Sequence, residues 1–280
     1  MEILDGKKIK LEILNDLKSK ISKLERRPGL VVIQVGSNSA SSVYVKQKAN
    51  MAGTADIDFE HIRLDDDIPQ ETLIDVINSL NMNKFVDGIL VQMPLPSHLD
   101  SKLIQNVIYP FKDVDGLTDI NMGKLSHNVD SLVPCTPMGI IDMLKFYNID
   151  INGKCVTIVG RSDLVGKPLS SLMTNNNATT ILCHSKTNNL ADFTRMADIL
   201  VCAIGKPKFI TEDMVKENSV VIDVGINRLD DGKICGDCDF DNLVDNVQAI
   251  TKVPGGCGPM TIAELGKNTY KAYLLKKKKN

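Results

Sequence analysis

Residues 30–35, 88–92, 155–159, 199–203 and 220–224 are short, nearly continuous runs of Val, Ile and Leu. A strand with one wet face alternates apolar and polar residues, whereas a strand covered on both faces does not. These runs are therefore predicted to be parallel strands inside a sheet flanked by helices. Residues 60–64, 180–183 and, more weakly, 249–251 read as further strands. Helical periodicity fills the intervals near 7–25, 41–53, 70–83, 137–147, 166–176 and 211–217. Strand and helix in alternation give an α/β fold with right-handed crossovers. A chain of 280 residues accommodates two such domains. We expect one domain over residues 1–140 and a second, with a Rossmann-like parallel sheet, over 141–259, with a cleft between them. A last helix over 260–280 returns to the first domain. Pro259 and the pair Thr261 and Glu264, spaced as a capping box, mark its start.

Composition excludes several classes of partner. The net charge is -2 and the pI about 6.1, so nothing attracts nucleic acid or an anionic membrane. The one basic run, residues 276–279, reads as a solvated tail. No apolar run approaches the ~20 residues of a membrane span, and the N-terminal residues, Glu2 and Asp5 among them, lack the features of a secretory signal. The seven cysteines are scattered and mostly lie in apolar segments, as reduced thiols in a cytoplasmic compartment would. Cys235 and Cys238 form a C-x-x-C without the second pair that zinc requires, so no metal is expected.

The run 155–159 leads straight into Gly160, Arg161 and Ser162, then Gly166, Lys167 and Pro168, where a helix opens. This is the context of a dinucleotide loop. Gly160 permits the tight turn, Gly166 permits close approach, and the helix N-terminus offers N–H groups to a pyrophosphate. The spacing departs from G-x-G-x-x-G, since Ser162 and Val165 replace its second and third glycines. An NAD site usually adds Asp or Glu about 20 residues on, for the ribose 2′-hydroxyl. Here the next strand ends in His184, Ser185, Lys186 and Thr187, with no acid. Arg161, Ser185 and Lys186 suit a 2′-phosphate, which favours NADP over NAD. His184 reads as lining the adenosine end, with a catalytic base as the alternative. Two more strands end in glycine loops, one at Gly205 and one at Gly225 and Ile226, where ligands of open α/β sheets bind.

In the first half, Tyr44 and Lys48 stand four apart on a predicted helix and share a face, while Lys46 points elsewhere. A lysine near an aromatic in a cleft can serve as acid and base. The same pattern also describes a solvated lysine face with Tyr44 as a core contact. Gln92 is polar at the carboxyl end of a buried strand, followed by Pro94 and Pro96. Asp115, before Gly116, reads either as an Asp-Gly turn or as a partner for a cationic or amidine-like ligand.

Together, Tyr44 to Lys48, Val91 to Pro96, Lys112 to Gly116, Pro134 to Pro137, Gly160 to Pro168 and Pro254 to Thr261 resemble the bifunctional methylenetetrahydrofolate dehydrogenase/methenyltetrahydrofolate cyclohydrolase family, in the family's order and over nearly the whole chain. The resemblance implies a two-domain α/β enzyme, commonly a homodimer, that takes a tetrahydrofolate derivative as substrate. It implies Lys48 as the catalytic lysine, Tyr44 as its partner, Gln92 as its support and Asp115 as the holder of the pterin ring. It further implies NADP contacts at Gly160, Arg161, Ser162, Gly166, Ser185 and Ile226, and a folate-pocket border at Pro254, Gly255 and Gly256. Cys257 stands where a valine is more usual. The rival expectations are another NAD(P)-dependent dehydrogenase of the same plan, such as an amino-acid or shikimate dehydrogenase, or a non-catalytic folate- or nucleotide-binding protein.

Overall fold

The structure, a computed structural model, describes residues 1–277. Its elements begin with β1 (Glu2–Leu4), α1 (Gly6–Ile21), β2 (Gly29–Val35), α2 (Ser39–Ala55), β3 (Asp58–Leu64), α3 (Gln70–Met82), β4 (Gly88–Val91), α4 (Ser101–Val107), α5 (Asp119–Ser126) and α6 (Cys135–Phe146). There follow β5 (Cys155–Val159), α7 (Gly166–Asn175), β6 (Thr179–Cys183), α8 (Leu190–Thr194), β7 (Ile199–Cys202), β8 (Val220–Asp223), β9 (Asn227–Arg228), β10 (Ile234–Cys235), α9 (Phe240–Leu243), β11 (Ala249–Thr251) and α10 (Cys257–Lys277). Two residues of the basic tail, Lys278 and Lys279, lie outside the described residues.

Contacts divide the chain into two compact units. One holds Leu11–Cys135 and the residues from Ile262 onward; the other holds Met1–Lys10 and Thr136–Thr261. In the first, β3, β2 and β4 form a parallel sheet in that order. All seven residues of β2 are buried, and the two packed faces explain its unbroken apolar run. Leu30, Val32 and Leu90 pack with Leu14, Leu17, Met51, Ile262 and Leu265. Val31, Ile33 and Val91, on the opposite side of the pleat, pack with Leu73, Ile77 and Ile104. The chain at 112–114 runs beside β4: the Ile89 N–H donates to the Lys112 carbonyl at 2.8 Å, and Ile89 pairs with Asp113 in a parallel bridge.

In the second unit, six parallel strands run in the order β1, β11, β8, β7, β5, β6. The chain leaves β5 for β6 on one side and returns to β7 on the other. The carboxyl ends of β5 and β7 therefore form the switch point, where open α/β sheets bind ligands. Strand β1 corrects the expectation that residues 1–10 belong with the first half: Glu2, Ile3 and Leu4 pair with Ala249, Ile250 and Thr251, and three residues are too few to show a period. The helix expected over 211–217 is only a 3-10 turn, Glu212–Met214. Ile210 is drawn into a bridge with Cys238, and Asn218 turns left-handed at φ 58°. Helix α10 starts at Cys257, so Thr261 is no cap: its hydroxyl donates back to the Cys257 carbonyl at 3.3 Å, and Pro259 sits in the first turn, where a missing N–H costs nothing. Among the described residues no helix is long and apolar enough to cross a membrane.

Candidate active site

Helix α2 turns a narrow stripe inward. Ser41, Val45, Lys48 and Ala52 are buried, at the spacing of one helical face. Lys46 is exposed, and Tyr44, one turn before Lys48, keeps 38% of its surface open. The alternative of a solvated lysine face thus holds for Lys46 and fails for Lys48. The Lys48 ammonium donates to Gln92 Oε1 at 2.7 Å. Gln92 is oriented for this by its own amide nitrogen, which donates to the Met93 carbonyl at 2.7 Å, while its backbone N–H donates to the Ile33 carbonyl at 2.8 Å. Burial pushes the Lys48 pKa below its usual 10.5, and the Asp115 carboxylate pulls the other way.

Asp115 arrives by a different device. Its neighbour Asp113 is fully buried, with Oδ1 accepting from Gln105 Nε2 at 3.1 Å and the Gly116 N–H at 3.0 Å. Oδ2 accepts from the Thr118 N–H at 2.8 Å and Asn121 Nδ2 at 2.9 Å. Asp113 therefore builds the turn and Asp115 is presented by it. Continuing the register that pairs Asp113 with Ile89 brings Asp115 level with Val91, next to Gln92. Burial raises the Asp115 pKa, and Lys48 lowers it in return. Lys48, Gln92 and Asp115 thus form one cluster, with Tyr44 on the same helix face.

Two members of this neighbourhood carried no separate expectation. Cys135 is buried, its thiol donating to the Val114 carbonyl at 3.4 Å and its pKa pushed well up by burial and by Asp115. Asn268 of α10 donates to the carbonyls of Val114 and Val133, both at 2.8 Å. It ties together the two strands of chain that flank Asp115. Cys135 lies inside the run Pro134 to Pro137; Asn268 is one polar residue in an amphipathic helix and has no local signal.

In the second unit the switch point is built from backbone. Gly160 has φ 124°, a conformation closed to L side chains, and a Cβ there would stand 2.2 Å from the Ala203 carbonyl oxygen. A Cβ on Gly166 would stand 1.8 Å from the Gly160 oxygen. The two glycines let β5, the end of β7 and the start of α7 close on one another. At the start of α7 the Lys167 N–H donates to the Ser162 carbonyl at 3.1 Å and Pro168 has no N–H, which leaves the Gly166 N–H for an anion. Ser162 Oγ accepts from the Val165 N–H at 3.2 Å. Arg161, Ser162, Ser185 and Lys186 are exposed. This set fits a phosphorylated dinucleotide: a glycine-lined cradle, the Gly166 N–H at a helix start and a cation with hydroxyls nearby. His184 is engaged locally, its Nδ1 accepting from the Lys186 N–H at 3.1 Å. Gly225 is buried and Ile226 exposed on the turn after β8. Pro254, Gly255 and Gly256 pack on the start of α1, where the Gly6 N–H donates to the Gly255 carbonyl at 3.0 Å. All seven cysteines are free thiols, and among the described residues no group of three or more His, Cys, Asp or Glu could hold a metal ion.

Comparison with known proteins matches both units. The model of the catalytic domain of tetrahydrofolate dehydrogenase/cyclohydrolase covers residues 4–115, and that of the family's NAD(P)-binding domain covers residues 134–277. The bifunctional protein FolD of Streptococcus thermophilus is 47% identical over 276 residues, 97% of each chain. The crystal structure of the bifunctional FolD methylenetetrahydrofolate dehydrogenase/cyclohydrolase from Campylobacter jejuni superposes with a TM-score of 0.97 at 44% identity, over 99% of both chains. The Trypanosoma brucei methylenetetrahydrofolate dehydrogenase-cyclohydrolase, complexed with NADP cofactor and inhibitor, does so with a TM-score of 0.93 at 33% identity, over 98% of this chain and 97% of the other. The chain belongs to the tetrahydrofolate dehydrogenase/cyclohydrolase family.

Proposed function

We propose that this chain oxidises 5,10-methylenetetrahydrofolate to 5,10-methenyltetrahydrofolate with NADP and then hydrolyses the product to 10-formyltetrahydrofolate, a step of one-carbon metabolism. The observation that carries the reading is the buried Lys48, held at 2.7 Å by Gln92 and drawn by Asp115, in a chain that also carries the glycine cradle at Gly160. We assign the folate to the unit of Leu11–Cys135 and NADP to the unit of Thr136–Thr261, and take the working enzyme to be a cytoplasmic homodimer.

NADP, when bound, would supply the acceptor for the hydride of the methylene carbon. That step moves no proton, so the protein's part is orientation and charge. In our assignment Asp115 holds the pterin ring through its amidine-like edge, and Tyr44 stacks on the aromatic parts of the folate. The loop at Pro254, Gly255 and Gly256 borders the folate. Gly160 and the Gly166 N–H would take the pyrophosphate, Arg161, Ser162 and Ser185 the adenosine end, and Ile226 the nicotinamide end.

The second reaction adds water to a carbon whose positive charge is spread over two nitrogens, and it does move protons. One must leave the water and another must reach the departing nitrogen. Lys48 suits the shuttle because burial lowers its hold on a proton, and because its hydrogen bond to the neutral amide of Gln92 leaves donor positions for a ligand. Gln92 keeps its head in place. Another dehydrogenase of the same plan, or a binding protein, would not need Tyr44, Lys48 and Asp115 together.

The test is the near-ultraviolet absorbance of NADPH formed from methylenetetrahydrofolate and NADP, with NAD in parallel, followed by decay of the methenyl absorbance. NADPH formation exceeding NADH formation, then methenyl decay faster than in buffer, is expected. Absence of reduction with either dinucleotide overturns the reading.

A further inference from the structure

Behind the dinucleotide loops lie two carboxylates that the mechanism does not use. Asp237 is fully buried and Asp223 nearly so, and neither has an ion-pair partner among the described residues. A buried charge without a counter-charge is costly, and here it is met by dipoles alone. Asp237 Oδ2 accepts from the N–H groups of Ile204 at 2.7 Å and Gly205 at 3.1 Å. Its Oδ1 accepts from the Lys206 N–H and from Asn227 Nδ2, both at 2.9 Å. One carboxylate thus gathers three consecutive amides of the turn after β7 and the side chain of Asn227, the first residue of β9 beyond the turn after β8.

Asp223 completes the frame from the end of β8. Its Oδ1 accepts from the N–H groups of Gly225 at 3.0 Å and Asp237 at 2.9 Å, and its Oδ2 from the Cys238 N–H at 2.8 Å. The fit is close on both sides. A Cβ on Gly225 would stand 2.2 Å from Asp237 Oδ1, and one on Gly236 would stand 1.8 Å from Asp223 Oδ2. Burial, with the Asp237 charge adding to it, pushes the Asp223 pKa up to about 6. The charge is therefore retained against an energetic penalty.

What the charge accomplishes follows from the geometry. Four donors converge on Asp237, and a carboxylate accepts from all four; an asparagine in its place would have one acceptor oxygen and would turn an NH₂ toward N–H groups. The two turns so tied, 204–206 and 225–227, stand at the carboxyl ends of β7 and β8, beside the switch point where Gly160 meets Ala203. We infer that Asp237 is a positioning residue for the dinucleotide: its carboxylate holds both turns in the shape that receives the cofactor and thereby sets the affinity for NADP. This rests on the function proposed above.

The test uses the full chain and the variants Asp237→Asn and Asn227→Ala. NADP binding is measured directly by titration calorimetry, alongside KM for NADP, kcat of the dehydrogenase and the cyclohydrolase rate on methenyltetrahydrofolate. For Asp237→Asn we expect Kd and KM for NADP to rise about tenfold or more, the worth of one or more charge-assisted hydrogen bonds. The cyclohydrolase rate is expected within about twofold of wild type, since it needs no dinucleotide. Asn227→Ala removes one of the four donors and is expected to raise Kd about threefold. A folded Asp237→Asn protein with unchanged Kd for NADP overturns the inference. If Asp237→Asn does not fold, Asn227→Ala decides: a raised Kd with normal cyclohydrolase supports the inference, and an unchanged Kd overturns it. Failure of the wild-type chain to bind NADP would instead strike the proposed function.

Discussion

Two lysines of the same unit are buried, Lys48 with 9% and Lys112 with 2% of its surface exposed, and both hold their protons less firmly than a free lysine. Their surroundings differ in kind. Lys112 donates to the carbonyls of Leu80 and Asn83, both at 2.8 Å, and so closes the C-terminal end of α3, where a cation is favoured. Beyond it, Arg26 grips Asp87 with two hydrogen bonds of 2.6 and 2.7 Å, and burial first, then Lys276 and Arg26, push the Lys112 proton off against the pull of Asp87. Main-chain carbonyls cannot move, titrate or leave, so Lys112 is a structural cap. Lys48 meets one side-chain amide and a carboxylate, both at a strand end or turn where a ligand can reach. A buried lysine is thus not a signature of catalysis. The nature of its acceptors decides.

The sharpest way to break this contrast is to remove each ammonium. Lys48→Gln is expected to lower the cyclohydrolase by about a thousandfold, the scale of lost general acid–base catalysis, and the dehydrogenase by about tenfold or less. Stopped-flow absorbance on the methenyl substrate and NADPH formation read the two steps. Equal loss of both, with folate still bound, would end the division of labour. Lys112→Met is expected to leave both rates within about twofold.

Lys112 should show itself in stability instead. In the folded chain it releases its proton near pH 8, whereas the unfolded chain keeps it until about 10.5. Between those values the unfolded state binds more protons, so stability gains from this group as pH rises. The gain is up to about 3 kcal/mol at about 1.4 kcal/mol per unit. Denaturant melts at pH 8 and 10 should reveal the slope in the wild type and a flatter one in Lys112→Met. An unchanged slope would mean the Lys112 ammonium is better solvated than its burial implies.

The contrast also explains what was legible in the sequence. Lys48, Gln92 and Asp115 each sit where a pattern is visible: a helix face, the end of an apolar run, an Asp-Gly turn. The same motif that contains Asp115 also contains Lys112 and Asp113, and no periodicity tells which of the three point inward in an irregular segment. The Gly160 turn was readable because backbone strain selects glycine. Asp223 and Asp237 were not: apart from Asn227 Nδ2 on Asp237, their side-chain oxygens accept from main-chain amides, which every residue has, so the partners leave little mark in the composition. The pairing of β1 with β11 spans almost the whole chain, and three residues at an edge show no alternation. Asn268 is a long-range tie of the same kind.

The finest test asks whether Lys48 itself titrates in the reaction. Burial lowers its pKa and the Asp115 charge holds it up, so the two neighbours can be changed to move it in opposite directions. Asp115→Asn removes the attraction; the ammonium becomes harder to keep, and the pH limb of cyclohydrolase kcat should move down, by about one unit or less. Gln92→Glu places a carboxylate where Oε1 now accepts at 2.7 Å, and the limb should move up by a similar amount. Both profiles are taken at saturating folate, so that weaker substrate binding enters KM and not kcat. A limb that vanishes in Asp115→Asn belongs to Asp115, whose own pKa burial raises. A limb that moves the same way in both variants belongs to neither residue's electrostatics and removes Lys48 as the shuttle. Opposite displacements are what a group titrating beside both positions must show, and Lys48 is hydrogen-bonded to Gln92 and drawn by the Asp115 charge.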